Sequence, residues 1–128
     1  MDGSRTALIV SCQVHQRDQL GQWVAADGYT PIQAAGFREA RQKLEELTPD
    51  LLVSDIKLGA YNGLHLVIWS RGRALKTKAI LIGDPDPVLQ REAQREGAVY
   101  LTGPLDAQSF LDSITNLFAS YHPVRRSQ

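Results

Sequence analysis

The stretch LLVSDIKLGAYNGL, residues 51–64, places a lone carboxylate, Asp55, directly after an apolar run and before a loop that contains glycine. The apolar residues are continuous and do not alternate with polar ones, as they would in a half-exposed strand. A continuous apolar run is typical of a strand buried on both faces. In open α/β sheets, ligands bind at the carboxyl ends of such strands. The stretch therefore predicts a buried strand that carries Asp55 to a candidate binding edge.

The rest of the chain alternates between short apolar runs and stretches with apolar residues three and four positions apart. Pro31 interrupts the second run, which favours a strand at the sheet edge. Five strands alternating with five helices predict a doubly wound parallel sheet with helices on both faces. The predicted strands are residues 6–10, 29–34, 51–53, 79–82 and 98–101, and the helices are residues 16–27, 37–47, 64–73, 87–96 and 110–118.

Helical spacing also predicts which side chains face the core. The inward stripe of the first helix is predicted to hold Leu20, Trp23, Val24 and Asp27, that of the second Phe37, Ala40, Leu44 and Leu47, and that of the third Leu64, Val67 and Ile68. Trp69 lies beside the third stripe, and we expect it to be partly exposed.

Length and composition indicate one globular domain of 128 residues, 43% hydrophobic and 22% charged. Fourteen basic residues balance fourteen acidic ones, so the chain lacks the basic excess of a nucleic-acid binder. We find no run that would span a membrane and no signal peptide, and therefore expect a cytoplasmic protein. The single Cys12 excludes an internal disulfide and a cysteine-based zinc site. We expect a domain over residues 1–121 and a polar tail or linker start at 122–128.

Two segments carry a resemblance to a known family. PDLLVSDIKLGAYNGL, residues 49–64, and GAVYLTGPLD, residues 97–106, resemble the signatures of response-regulator receiver domains. The resemblance spans residues 5–121. It implies a flavodoxin-like α/β fold, a five-stranded parallel sheet in the order 2-1-3-4-5 with five helices.

The same resemblance implies roles for individual residues. Asp55 falls on the phospho-acceptor of the family and Gly63 on the later loop glycine. Tyr100 falls on the switch aromatic, and Pro104 on the proline that follows the lysine of typical members.

The sequence departs from the family at the positions that handle charge. Ser11 and Cys12 stand where receivers carry an acidic pair for Mg²⁺, Gly83 where they carry Thr or Ser, and Gly103 where they carry lysine. Preorganised cations and hydrogen-bond donors supply most of the catalysis in phosphoryl transfer. We therefore expect weak or absent phosphorylation.

A Mg²⁺ ion prefers near-octahedral oxygen ligands, commonly including carboxylates. Only the carboxylate of Asp55 and the backbone carbonyl of Lys57 match the family's metal ligands, so we expect no cofactor beyond weakly bound Mg²⁺.

The expected function is that of a receiver-like signalling domain, not an enzyme, that acts through protein contacts. The expected partners are a histidine kinase, a phosphotransfer protein or an effector domain, without direct contact to nucleic acid or membrane. In the family, the face formed by the fourth helix, fifth strand and fifth helix carries dimerisation and partner binding; it corresponds to residues 87–96, 98–101 and 106–121. Tyr100 is expected to hold one orientation or to be set by a partner. The alternative is a working phosphorelay acceptor that uses Asp55 and residual Mg²⁺.

Other readings remain open for residues near these positions. Lys57 either folds onto Asp55 in place of a metal or is solvated. Asp84 either approaches the pocket or simply starts the turn that DPDP favours.

A remote alternative is an enzyme that uses Cys12 as its nucleophile. A cysteine beside a helix N-terminus can have a lowered pKa. In CQVHQR, however, Cys12 and Arg17 are separated by four residues without glycine, one residue fewer than in the phosphate loop of cysteine phosphatases. His15 could be imagined as a base, but its place at a helix start is more typical of a capping or solvated residue.

Overall fold

The computed structural model describes residues 5–119, and statements below concern this part of the chain. The strands are β1 (Arg5–Val10), β2 (Tyr29–Ala34), β3 (Leu51–Asp55), β4 (Lys57–Leu58), β5 (Tyr61–Asn62), β6 (Lys78–Gly83) and β7 (Val99–Thr102). The helices are α1 (Val14–Ala26), α2 (Phe37–Leu47), α3 (Gly63–Gly72), α4 (Pro87–Arg95) and α5 (Ala107–Ala119).

Five strands form one parallel sheet in the order β2-β1-β3-β6-β7, and β4 pairs with β5 in a separate antiparallel hairpin. Without the hairpin strands, this is the predicted order 2-1-3-4-5. The strand that contains Pro31 lies at the edge, as predicted. The two-residue strands of the hairpin were not predicted.

Apolar side chains cover both faces of the sheet, because alternate residues of each strand point to opposite sides. Leu8, Leu52 and Leu81 pack on one face with α2, α3 and α4. Ile9, Val53 and Ile80 pack on the other face with α1 and α5. The central strands are therefore buried on both sides, which explains their continuous apolar sequence.

The loop after β3 depends on a glycine at position 63. A Cβ at Gly63 would lie too close to the backbone oxygen of Asp55 and 2.8 Å from Ser54 Oγ. The amide of Gly63 donates to the carbonyl of Ile56 at 2.9 Å, which closes the loop. The side chains of Asn62 and His65 then cap the first turn of α3 reciprocally.

Most predicted core residues are buried or partly buried, but three are exposed. Ile68 is 44% exposed, and Leu66 is buried in its place. Leu47, the last residue of α2, is 48% exposed, and Asp27 is the exposed C-cap of α1. Leu47 and Asp27 lie at helix ends, where the periodic pattern continues in sequence but the core does not.

Both tryptophans lie where the spacing predicted. Trp23 packs against the core on the α1 and α5 side and contacts the ring of Phe110, with centroids 5.6 Å apart. Trp69 is partly buried, and the Arg73 guanidinium lies 5.1 Å from its ring centroid. No helix within residues 5–119 is long and apolar enough to cross a membrane. The predicted tail at 122–128 lies outside the described residues.

Candidate functional site

A pocket of about 380 Å³ opens at the carboxyl ends of the sheet strands, as expected for this topology. It brings together most of the positions that the sequence singled out from four separate segments. Its lining comprises Cys12, Gln13, Gln16, Asp55, Lys57, Ile82, Gly83, Asp84 and Gly103.

Two neutral donors hold the carboxylate of Asp55. The hydroxyl of Ser11 donates to Asp55 Oδ2 at 2.6 Å, and the side-chain amide of Gln16 donates to Oδ1. Ser11 is itself fully buried, and its oxygen accepts from the amide of Gln13 at 3.1 Å. Both oxygens of the aspartate are therefore engaged by uncharged groups, one from the residue after β1 and one from α1.

Gln16 was not identified from the sequence. It lies in the first turns of α1, and its contact with Asp55 joins residues 39 positions apart. No local pattern marks such a contact, because glutamine is common on exposed helix surfaces. The only available signal was the position of α1 directly after the end of β1.

The surroundings of Asp55 change its acidity in opposing directions. Burial raises the pKa of its carboxyl group, because the charged form loses water. The hydrogen bonds from Ser11 and Gln16 lower it, but burial is the larger effect. The net result is a pKa above the ordinary value.

Lys57 and Asp84 pair with each other at the mouth of the pocket. Lys57 Nζ lies 3.7 Å from Asp84 Oδ2, and both side chains are more than four-fifths exposed. The reading in which Lys57 folds onto Asp55 is therefore not observed. Asp84 does line the pocket, while Asp86 accepts from two backbone amides and caps α4.

Tyr100 is buried and turned toward Gly83. Its hydroxyl donates to the backbone carbonyl of Asp84 at 2.7 Å. A Cβ on Gly83 would lie 2.6 Å from Ile56 Cγ2 and 2.7 Å from Tyr100 Oη. The isoleucine methyl and the tyrosine hydroxyl thus occupy the space that a side chain at position 83 would need. Burial, with a smaller contribution from Asp86 and Asp84, raises the pKa of Tyr100.

Gly103 differs from Gly83 in having room around it. A Cβ at Gly103 would meet only the backbone nitrogen of Leu105, at an ordinary 4.0 Å. The peptide bond between Gly103 and Pro104 is cis. Position 103 therefore lines the pocket without supplying a side chain, although a side chain would fit.

The structure does not assemble the partners that a cysteine nucleophile would require. Cys12 is exposed, but Arg17 donates to the backbone oxygen of Ser11 at 2.8 Å and to the side chain of Gln33 at 3.0 Å. Its guanidinium is therefore bound to Ser11, just after β1, and to Gln33 of β2. His15 is exposed on α1 and does not line the pocket. The geometry of these residues does not favour a Cys12-based enzyme.

No family model matches the chain. The chain is 35% identical to the Regulator of RpoS of Escherichia coli K12 over 75 aligned residues. This alignment covers 59% of this chain and 22% of that protein. The chain thus matches about a fifth of the length of this curated relative.

Solved structures match nearly the whole chain. A CheY-like receiver domain from Methanospirillum hungatei superposes with a TM-score of 0.84 at 22% identity, covering 92% of this chain and 96% of that one. The chemotaxis protein CheY4 of Vibrio cholerae gives 0.81 at 21%, covering 90% and 99%. The beryllofluoride-activated NtrC4 receiver domain, which is a dimer, gives 0.82 at 24%, covering 91% and 98%.

These matches confirm the resemblance that the sequence motifs indicated, including the order of the five strands. The chain has the fold of a response-regulator receiver domain.

Proposed function

We propose that this chain is the receiver domain of a two-component response regulator that acts by protein contact, with weak or absent phosphorylation at Asp55. The observation that carries the proposal is the pair of neutral donors, Ser11 and Gln16, on the carboxylate of Asp55. An acceptor that is to receive a phosphoryl group needs cations around it to offset the developing charge. This pocket offers hydroxyl and amide groups instead.

The donor set does not fit a Mg²⁺ ion. Asp55 is the one carboxylate held at the base of the pocket, and Asp84 is exposed and paired with Lys57. Within residues 5–119 no three His, Cys, Asp or Glu side chains form a group that could hold a metal. Since Mg²⁺ gives up its water ligands reluctantly, one carboxylate with carbonyl and hydroxyl oxygens is a poor site.

The proposed output surface lies at one edge of the sheet and is formed by α4, β7 and α5. Strand β7 is the sheet edge there, and Val88 of α4 is 63% exposed despite being apolar. Tyr100 lies in β7 and is held inward by its hydrogen bond to Asp84 and by the absence of a side chain at Gly83. This surface would present one conformation to a second copy, a histidine kinase, a phosphotransfer protein or an effector domain.

The test is phosphorylation of the purified domain by acetyl phosphate and Mg²⁺, followed by intact-mass spectrometry. We expect little or no gain of the mass of a phosphoryl group in the unaltered protein. A variant carrying Ser11→Asp, Cys12→Asp and Gly103→Lys restores the missing charges and should gain the phosphoryl group faster. Asp55→Asn in that variant should abolish the gain. Rapid and complete modification of the unaltered domain at Asp55 would refute the proposal.

A second candidate is a phosphorelay acceptor that works slowly through Asp55. It is favoured by the open pocket in front of that residue and by the retained loop glycine, Gly63. Amide NMR spectra before and after addition of Mg²⁺ with beryllofluoride, an acyl-phosphate mimic, distinguish the two candidates. Shifts at Asp55, Gly83, Gly103 and Tyr100 would favour the phosphorelay, and an unchanged spectrum at millimolar ligand would favour the proposal above.

A further inference from the structure

An aromatic cluster lies on the surface, and its residues belong neither to the lining of the Asp55 pocket nor to the proposed output surface. The rings of Phe37 in α2 and Tyr61 in β5 stack with centroids 4.4 Å apart and an angle of 17° between their planes. The imidazole of His65 meets both rings edge-on, at 6.4 and 6.3 Å. Tyr61 is nevertheless 48% exposed. The stack thus fixes the position of an aromatic surface that remains open to a partner.

The hairpin explains why Tyr61 reaches the surface at this place. Leu58 and Tyr61 are paired across the two strands, and Gly59 provides the positive φ of 65° in the turn between them. Leu58 is buried in the core, whereas Tyr61 lies against Phe37. The capping contacts of Asn62 and His65 hold the hairpin to the start of α3. The aromatic surface is therefore built on well-anchored backbone.

A groove of about 490 Å³ runs along this stack between α2 and the hairpin, and its charged lining is asymmetric. Arg38 and Arg41 line it one helical turn apart, and both side chains are exposed. Its one acidic residue, Glu45, is bound by Arg73 of the neighbouring α3 segment. Within residues 5–119, no carboxylate forms an ion pair with Arg38 or Arg41.

We propose that this groove, named here the α2–hairpin groove, binds an acidic segment of a protein partner that also carries an apolar or aromatic side chain. The two arginines would receive the carboxylates, and the Phe37–Tyr61 stack would receive the apolar side chain. Tyrosine and arginine are the residue types concentrated in interface hot spots, since each combines a large contact area with hydrogen bonding. A nucleic acid fits less well, because two arginines on a chain of zero net charge give few phosphate contacts.

This inference goes beyond the proposed function. The groove is lined by residues of α2 and β5, whereas the proposed output surface involves α4, β7 and α5. Binding in the groove requires neither phosphorylation of Asp55 nor movement of Tyr100. Failure of one proposal would therefore leave the other standing.

The experiment uses a phage-displayed library of random twelve-residue peptides, selected on the immobilised domain. We expect the selected peptides to be enriched in Asp and Glu beside aromatic or aliphatic residues. The best peptide, made synthetically with a fluorophore, should bind the double variant Arg38→Glu/Arg41→Glu at least 10-fold more weakly by fluorescence anisotropy. Tyr61→Ala should also weaken binding at least 10-fold, and the affinity should fall with added salt because the contact is partly ionic.

The matched control is Arg71→Glu/Lys76→Glu, which makes the same charge change on exposed residues of α3 and of the loop after it, outside both the groove and the proposed output surface. It should change the affinity less than 2-fold. Urea unfolding of each variant shows that lost binding is not lost folding. The proposal is overturned if no peptides are enriched, if the enriched peptides lack acidic residues, or if the Arg71/Lys76 control weakens binding as much. It is equally overturned if a twelve-nucleotide single-stranded oligonucleotide binds more tightly than the peptide and is lost in the same variants.

Discussion

The loop that follows Asp55 and the tips of the neighbouring strands line one pocket. The physical constraint on which side chain can stand at each position nevertheless differs from one position to another. At Gly63 the backbone oxygen of Asp55 leaves no room for a side chain, and at Gly83 the side chains of Ile56 and Tyr100 fill the space. At Cys12 and Gly103 the chain is open to solvent. Packing therefore constrains the first two positions, whereas only chemistry would constrain the other two.

This difference indicates how a receiver fold can persist with altered chemistry. Residues that close the loop and cover the sheet contribute to folding and resist change for that reason. Charged groups at strand tips add little to the core, and clustering carboxylates without a metal is unfavourable. This chain forms the five-stranded scaffold with uncharged residues at two strand tips, Ser11 and Cys12 at one and Gly103 at another.

The largest expected effect is at Gly63. Gly63→Ala should lower the free energy of unfolding by about 3 kcal/mol, because the new methyl group collides with backbone that cannot move without opening the loop. Urea denaturation measures the change. Gly72→Ala is the control, since nothing lies within 4 Å of its Cβ and alanine favours the helix. Equal stability of the two variants would show that packing does not constrain position 63.

A smaller loss is expected at Gly83, because side chains rather than backbone fill the space. Gly83→Ala should cost about 1–2 kcal/mol, since Ile56 and Tyr100 can shift in part. In a Tyr100→Phe background the missing hydroxyl removes one collision, so the same change should cost less. Urea denaturation of the unaltered protein, the two single variants and the double variant gives the coupling energy between positions 83 and 100. Strictly additive effects would mean that Tyr100 does not occupy the space at position 83.

How far the sequence predicted this arrangement depends on the range of the contacts. The alternation of apolar runs and helical stripes predicted the five sheet strands and five helices, and Pro31 predicted the edge strand. The hairpin was missed because two-residue strands have no period. Gln16 was missed because its contact with Asp55 spans 39 positions.

The site was predictable only as a set of positions. The motif placed Asp55, Gly83 and Gly103 at strand tips, and all three line one pocket. Sequence alone could not show that Tyr100 and Ile56 crowd Gly83 while Gly103 stays open, since that depends on side-chain packing. The functional roles of these residues remain predictions.

A pH-dependent effect tests the burial of Asp55. Burial raises its pKa above the ordinary value of 3.8, so the folded protein holds this proton more tightly than the unfolded chain. The resulting stabilisation is complete below pH 3.8 and is lost as the pH rises through the folded pKa. Asp55→Asn removes this dependence, and its amide can still pair with Ser11 and, after a flip, with Gln16. The free energy of unfolding of the unaltered protein minus that of the variant should fall as the pH rises above 3.8. A difference that rises would show that the hydrogen bonds outweigh burial.

The smallest expected effect on stability is at Gly103, which is open to solvent. Gly103→Lys should change the free energy of unfolding by less than about 0.5 kcal/mol. The Cβ of the new lysine would meet only the backbone nitrogen of Leu105, at 4.0 Å, and the rest of its side chain would extend into the pocket. The new ammonium would lie in a pocket that contains Asp55 and should lower the pKa of that carboxyl, since an opposite charge favours the ionised form. Urea denaturation and NMR titration of the Asp55 carboxyl measure the two quantities on one sample. A lowered pKa with unchanged stability would show that the charge at this tip is separable from the fold. A loss as large as that at Gly83 would show that packing constrains this tip as well.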